Sequence, residues 1–168
     1  MSHADNTTDS PLTAHTREDI DGWVARYPPE HKKSALLAAL RAAQHQNNGY
    51  LTVELMDAVA DYLELSKIEV YEVASFYSMY ELQPVARHNI AVCTNVSCML
   101  MGSDTIVDHL ERKLHIKLGE STADGRIYLK KEEECLAACG GGPMMQVNHK
   151  YYTDLTPEKV DEIIDSLE

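Results

Sequence analysis

The chain has no basic surplus, no long apolar run and no nucleotide-binding motif, and each absence closes off a class of protein. Its 168 residues carry 15 Lys and Arg against 27 Asp and Glu, a formal net charge of -12. Nonspecific nucleic-acid binding, which needs clustered Lys and Arg on phosphates, is set aside. No apolar stretch approaches the roughly 20 residues of a membrane span. Hydrophobic content of 44% and charged content of 25% instead describe a soluble globular protein. The opening stretch MSHADNTTDSPLTAH lacks a basic segment leading into an apolar one and carries Asp5 and Asp9. Neither a secretory signal nor a mitochondrial transit peptide is expected. No G-x-G-x-x-G follows a strand, and G-x-x-x-x-G-K-[ST] and G-x-S-x-G are missing too. The chain therefore has no nucleotide motif of its own and no means of accepting a hydride.

Cysteine is scarce as well, but its placement is informative. All 4 fall into two tight pairs, Cys93/Cys98 and Cys135/Cys139, with 36 residues between the pairs. Two loops that converge would bring four thiolates to one centre, enough for a tetrahedral zinc or a two-iron, two-sulfide cluster. Structural zinc loops most often use C-x2-C, a bite that neither pair has. The wider cluster suits the longer C-x4-C and C-x3-C spacings, so the pattern favours iron and sulfide over zinc. It is not the plant-type ferredoxin run. Disulfides would need an oxidising compartment, and a thioredoxin-type dithiol would need C-x-x-C. Zinc, disulfides and inert thiols remain open alternatives on the residues alone.

Both cysteine loops are free of charge. CTNVSCMLMGS (93–103) and CLAACGGGPMMQVNH (135–149) contain no Asp, Glu, Lys or Arg. A cluster held by four thiolates is negative and becomes more so on reduction, so nearby carboxylates would oppose reduction. Gly140-Gly141-Gly142 is expected to bring backbone N–H groups close to sulfur, because no Cβ blocks the approach; equally, three glycines can simply make a tight turn. A surface charge at about 15 Å contributes about 0.3 kcal/mol in water before screening. One amide donor to a charged sulfur contributes roughly 1.5 to 3 kcal/mol. Local donors such as the Gly141 amide should therefore outweigh a single carboxylate such as Glu132. His88 and His149 lie nearest the cysteine loops in sequence, but four cysteines already suffice.

The organisation reads as a mobile segment over 1–15, a helical bundle over 16–84 and an α/β domain over 85–168. Ile20, Trp23, Val24 and Tyr27 form one helical stripe, ended by Pro28-Pro29. A second helix is expected from about Glu30 to Gln46, burying Leu36, Leu37, Leu40 and Ala43. Thr52 caps a third, with Leu55, Met56, Val59 and Leu63 inward. Ser66 and Glu69 form a capping box for a fourth, with Val70, Val73, Ala74 and Tyr77 inward and Gln83-Pro84 closing it. The aromatic run Ala74–Tyr80 is either bundle core or a docking face. Beyond Pro84 the period changes. Three strands are expected in the order β-α-β-β-α, over His88–Cys93, around Ile127 and Leu129 up to the acidic run Glu132–Glu134, and over Met144–Asn148, the third with room for a turn near Asn148-His149 into Lys150-Tyr151-Tyr152. Helices are expected from about Ser103 to His115 and from Pro157, with Thr156 as N-cap. Both halves are short for independent stability, so the helices are expected to pack on the α/β unit or on a partner.

Certain residues resemble a known family. Cys93-Thr94-Asn95-Val96-Ser97-Cys98, Asp124-Gly125-Arg126, Glu134-Cys135-Leu136-Ala137-Ala138-Cys139, Gly142-Pro143-Met144-Met145-Gln146-Val147-Asn148 and Tyr151-Tyr152-Thr153-Asp154-Leu155-Thr156-Pro157-Glu158 look like the small two-iron (2Fe-2S) subunit of NADH:quinone oxidoreductase, respiratory complex I. Gly49-Tyr50-Leu51 and Ala74–Tyr80 match upstream, so the resemblance runs from about residue 17 onward. It implies a helical bundle followed by a thioredoxin-like 2Fe-2S ferredoxin domain, with one 2Fe-2S cluster on Cys93, Cys98, Cys135 and Cys139. It also implies an oxidoreductase in electron transport whose FMN and NADH are bound by a partner subunit, with further peripheral-arm subunits nearby. The chain would have no catalytic residue and, in isolation, no NADH-oxidising activity. It would be cytoplasmic, held at the inner membrane through the complex. Ala137 stands where many relatives have Gly, and Gly140–Gly142 replaces a more varied tripeptide. The equivalent subunit of an NAD-linked hydrogenase or formate dehydrogenase is one alternative, and a zinc-stapled, non-redox assembly subunit is another.

Overall fold

A computed structural model describes residues 10–131 and 135–168. The chain divides into two compact units, 1–84 and 85–168. Among the described residues, no helix is long and apolar enough to cross a membrane.

The first unit is helical. Helix α1 (Ala14–Val24) starts two residues before the expected Thr16, because the Thr13 hydroxyl accepts from the Thr16 amide at 3.1 Å. Leu12 is buried, so residues 10–15 do not read as a loose tail; residues 1–9 lie outside the described ones. Of the expected stripe, Ile20 is fully buried, whereas Trp23 is exposed beneath the Arg26 guanidinium, 4.1 Å from the ring centre. The second helix is split. Pro29–Ala35 is a 3-10 turn in which His31 is non-helical, and α2 (Leu36–Gln46) follows. Leu36, Leu40 and Ala43 are buried as expected, but Leu37 is exposed. Helix α3 (Val53–Leu63) buries Leu55, Met56, Val59 and Leu63, with Thr52 accepting from the Leu55 amide at 3.2 Å.

Helix α4 (Lys67–Phe76) begins where the Glu69 carboxylate accepts from the Ser66 amide at 3.2 Å, and it ends well short of Gln83. Tyr77 is extended, because the chain must turn to bring Tyr80 into the core. There the Tyr80 hydroxyl donates to the Leu37 carbonyl at 2.7 Å, and burial pushes its pKa up to about 12. The aromatic run thus divides. Tyr80 is core, while Phe76, Tyr77 and Met79 face outward.

The second unit is a five-stranded mixed sheet with helices. Its strands are β1 (His88–Val92), β2 (Glu120–Ser121), β3 (Ile127–Leu129), β4 (Met145–Val147) and β5 (Lys150–Tyr152), in spatial order β2-β3-β1-β4-β5. Only β1 and β3 are parallel; the other neighbours are antiparallel. The parallel pair needs a crossover, which α6 (Ser103–Leu114) supplies while burying Ile106, Val107 and Leu110. Helix α7 (Pro157–Asp165) starts as expected, Thr156 accepting from the Lys159 amide, and buries Val160, Ile163 and Ile164. Two elements exceed the sequence expectation: the two-residue strand β2, and α5 (Val96–Leu100) inside the first cysteine loop. The acidic run Glu132–Glu134 lies outside the described residues.

A candidate four-thiol centre

Strand β1 delivers Cys93 into the first loop, where the Cys93 amide donates to the Met144 carbonyl at 3.1 Å and ties the loop to the start of β4. Asn95 then caps α5, its side chain accepting from the Val96 amide at 2.9 Å. That short helix turns Cys98 inward and leaves Val96, Met99 and Leu100 in solvent. Gly102 (φ 96°) makes the left-handed turn into α6, a conformation that costs a side-chain residue about 1 to 2 kcal/mol. Cys93 and Cys98 are buried with Leu136 and Met144 as a small apolar cluster of their own.

The second loop supplies Cys135 and Cys139, both exposed, with their sulfurs 3.7 Å apart. Ala137 between them is left-handed at φ 58°, and its amide donates to Cys135 Sγ at 3.4 Å. Cys139 opens a 3-10 turn over Cys139–Gly141. Gly142 lies against the first loop, where a Cβ would come within 2.7 Å of Met101 Sδ and 3.3 Å of Cys98 Sγ.

The two loops meet at the buried pair, where Leu136 packs with Cys93 and Cys98 and Gly142 lies against Cys98 Sγ. The exposed Cys135/Cys139 turn is thus set beside the buried Cys93/Cys98 pair. Among the described residues no group of three or more His, Cys, Asp or Glu side chains forms a single-ion site. Burial opposes ionisation of Cys93, but the Leu136 and Asn95 amides, with Cys98 and Cys135, hold its thiol below the ordinary value. Burial and the neighbouring Cys93 push Cys98 up to about 11. The Ala137 amide favours the Cys135 thiolate, yet Cys139 beside it leaves that thiol raised.

Gly141 behaves differently from expectation. The Gly141 amide donates to the Ala138 carbonyl at 3.0 Å and so is not aimed at sulfur. Its Cα packs against Thr153, where a Cβ would approach to 2.6 Å, and its carbonyl accepts from the Asp154 amide at 2.7 Å. The amide that donates to Cys135 Sγ is that of Ala137, which sequence reasoning singled out only as a departure from glycine. His88 starts β1, at the end away from Cys93, and contacts the Glu168 carbonyl at 2.8 Å. The β1–β4 register pairs Val92 with Met145 and Ile90 with Val147, so His149 also follows β4 at that far end.

The thioredoxin-like [2Fe-2S] ferredoxin family matches this sequence over residues 20–168, nearly the whole chain and both cysteine loops. The chain belongs to this family. The E-type subunit of NADH-quinone oxidoreductase from Rickettsia bellii is 48% identical over 150 residues, covering 89% of this chain and 87% of that protein. A like-named NADH-quinone oxidoreductase subunit of Rhizobium meliloti is 39% identical over the same length. Among solved structures, an NAD+-reducing [NiFe]-hydrogenase in its air-oxidised state aligns with a TM-score of 0.63 at 26% identity, covering 77% of this chain. The chain spans only 22% of that hydrogenase chain. In this thioredoxin-like ferredoxin domain the donor chemistry fits a [2Fe-2S] group, with four free thiols in two pairs, an apolar floor and uncharged walls.

Proposed function

We propose that Cys93, Cys98, Cys135 and Cys139 hold one 2Fe-2S cluster, and that the chain is the electron-transfer subunit of an NADH:quinone oxidoreductase. The observation that carries the reading is the packing of Leu136, from the Cys135/Cys139 loop, against Cys93 and Cys98, which joins two cysteine pairs lying 36 residues apart in sequence. The bound group would supply one-electron chemistry. The protein's part is to position and insulate it: β1 and α5 fix the buried pair, Leu136 and Met144 exclude water beneath it, and the Ala137 amide supports negative charge on Cys135. FMN and NADH belong to a partner subunit. Acting alone, the chain is expected to oxidise no NADH, and as part of the complex it sits on the cytoplasmic side of the inner membrane.

Iron and acid-labile sulfide analysis of the purified chain tests the centre. Two of each per chain is expected; one zinc without sulfide overturns the reading in favour of a stapled assembly subunit. Cys→Ser at any of the four positions is expected to abolish or severely destabilise the native cluster, and an unchanged EPR signal in reduced Cys139→Ser overturns that assignment. The fold likeness to the NAD+-reducing hydrogenase supports a second reading, the equivalent subunit of an NAD-linked hydrogenase. Mass spectrometry of co-purifying subunits separates the two: quinone-reductase subunits support the first reading, and a hydrogenase or formate dehydrogenase large subunit overturns it.

A further inference from the structure

The four thiols are unequal in their access to solvent. Cys93 and Cys98 are only 2% and 1% exposed and sit in the Leu136/Met144 cluster, whereas Cys135 and Cys139 are both exposed on the same turn with sulfurs 3.7 Å apart. A disulfide needs about 2 Å between sulfurs, so closing the exposed pair requires side-chain rotation by less than the width of an atom. Thiol–disulfide exchange depends on in-line access to the attacking sulfur. A small disulfide in solution therefore reaches this pair and is kept from the other.

We propose that in the cluster-free protein Cys135 and Cys139 are a redox modification site, closing to a disulfide with low-molecular-weight disulfides and thereby blocking cluster insertion until reduced. The step balances. One cysteine attacks a sulfur of oxidised glutathione, and a glutathione thiolate leaves. The second cysteine attacks the resulting mixed disulfide, the Cys135–Cys139 bond forms, and the second glutathione thiolate leaves. Two electrons pass from the cysteine pair to oxidised glutathione, and the two thiol protons end on the two reduced glutathione molecules. Oxidation removes two of the four ligands assigned above, so the blocking step rests on that assignment; formation of the bond does not.

The test uses the full chain, stripped of iron with a chelator under reducing, anaerobic conditions and then freed of reductant. After incubation with oxidised glutathione the reagent is removed, the protein is unfolded in guanidinium at low pH, remaining thiols are alkylated with iodoacetamide on return to neutral pH, and the tryptic peptides are weighed. The expected result is alkylation at Cys93 and Cys98, with the peptide holding Cys135 and Cys139 unalkylated and two hydrogens lighter. With ferrous iron and sulfide the oxidised protein should regain no cluster absorbance, and dithiothreitol should restore uptake in full. In Cys139→Ser, oxidised glutathione should leave a stable adduct on Cys135. A bond that includes Cys93 or Cys98, or cluster uptake without reductant, overturns the proposal. A never-oxidised control that takes up no cluster overturns the four-ligand reading instead, and the peptide masses still decide the disulfide.

Discussion

The amide of Ala137 points at the sulfur of Cys135, 3.4 Å away, from a left-handed backbone at φ 58°. An alanine there keeps the donor in place against its own steric preference. Left-handed backbone costs a residue with a Cβ about 1 to 2 kcal/mol, and glycine's looser unfolded chain offsets about 0.5 to 1 of that. Ala137→Gly should therefore stabilise the protein, by about 0.5 kcal/mol, and Ala137→Val should destabilise it. Denaturant unfolding of the three proteins checks the order; a less stable glycine variant would contradict it.

Met101 Sδ and Cys98 Sγ flank the same side of Gly142, and Cys98 is almost fully buried. Truncating the thioether opens that sulfur to water. Solvent favours the more negative, reduced form of a thiolate-held cluster, so Met101→Ala should raise the reduction potential in an EPR-monitored titration. In the reduced, cluster-free protein it should also speed alkylation of Cys98. An unmoved potential with unmoved labelling would remove Met101 from this role.

Tyr80 is 6% exposed, and its hydroxyl is hydrogen-bonded to the Leu37 carbonyl. Tyr80→Phe keeps the ring and removes the bond. A loss of about 1 kcal/mol in unfolding free energy is expected, with helix content unchanged by circular dichroism.

Glu69 is held down to about 2, chiefly by the Lys33 ammonium at 2.6 Å and then by the Ser66 hydroxyl and amide. A depressed carboxylate stabilises the fold above its ordinary value of 4.5, and that contribution is lost as pH falls toward about 2. Glu69→Gln should thus be less stable than the parent near neutrality, with the gap narrowing through this window. Parallel pH-dependent unfolding curves would refute the assignment.

Much of this architecture can be read from periodicity and caps. Thr52, Ser66 and Thr156 mark helix starts correctly, and the alternation around Ile90 and Val92 marks the strand that leads to Cys93. The cysteines themselves are legible because their spacing and uncharged surroundings need no tertiary information. The misses are tertiary or very short. Tyr77 continues the stripe begun by Val70, so the pattern carries α4 too far; the turn away depends on Tyr80 finding the distant Leu37 carbonyl. Helix α5 spans 5 residues, too few for a periodic signal. The glycine run draws attention by its permissiveness, yet the donor to Cys135 is Ala137, a residue whose backbone sign no composition reveals.

The sheet of the second unit closes on both sides with very little strand, two residues in β2 and three in β5. Long, flat, apolar borders invite another copy to zip on through free backbone groups, a route to aggregates. Here one border is Glu120-Ser121 and the other carries Lys150, so neither gives an incoming chain a template of useful length. The unit can thus display uncharged, apolar cysteine loops at its surface without also presenting a backbone seam along which copies could stack.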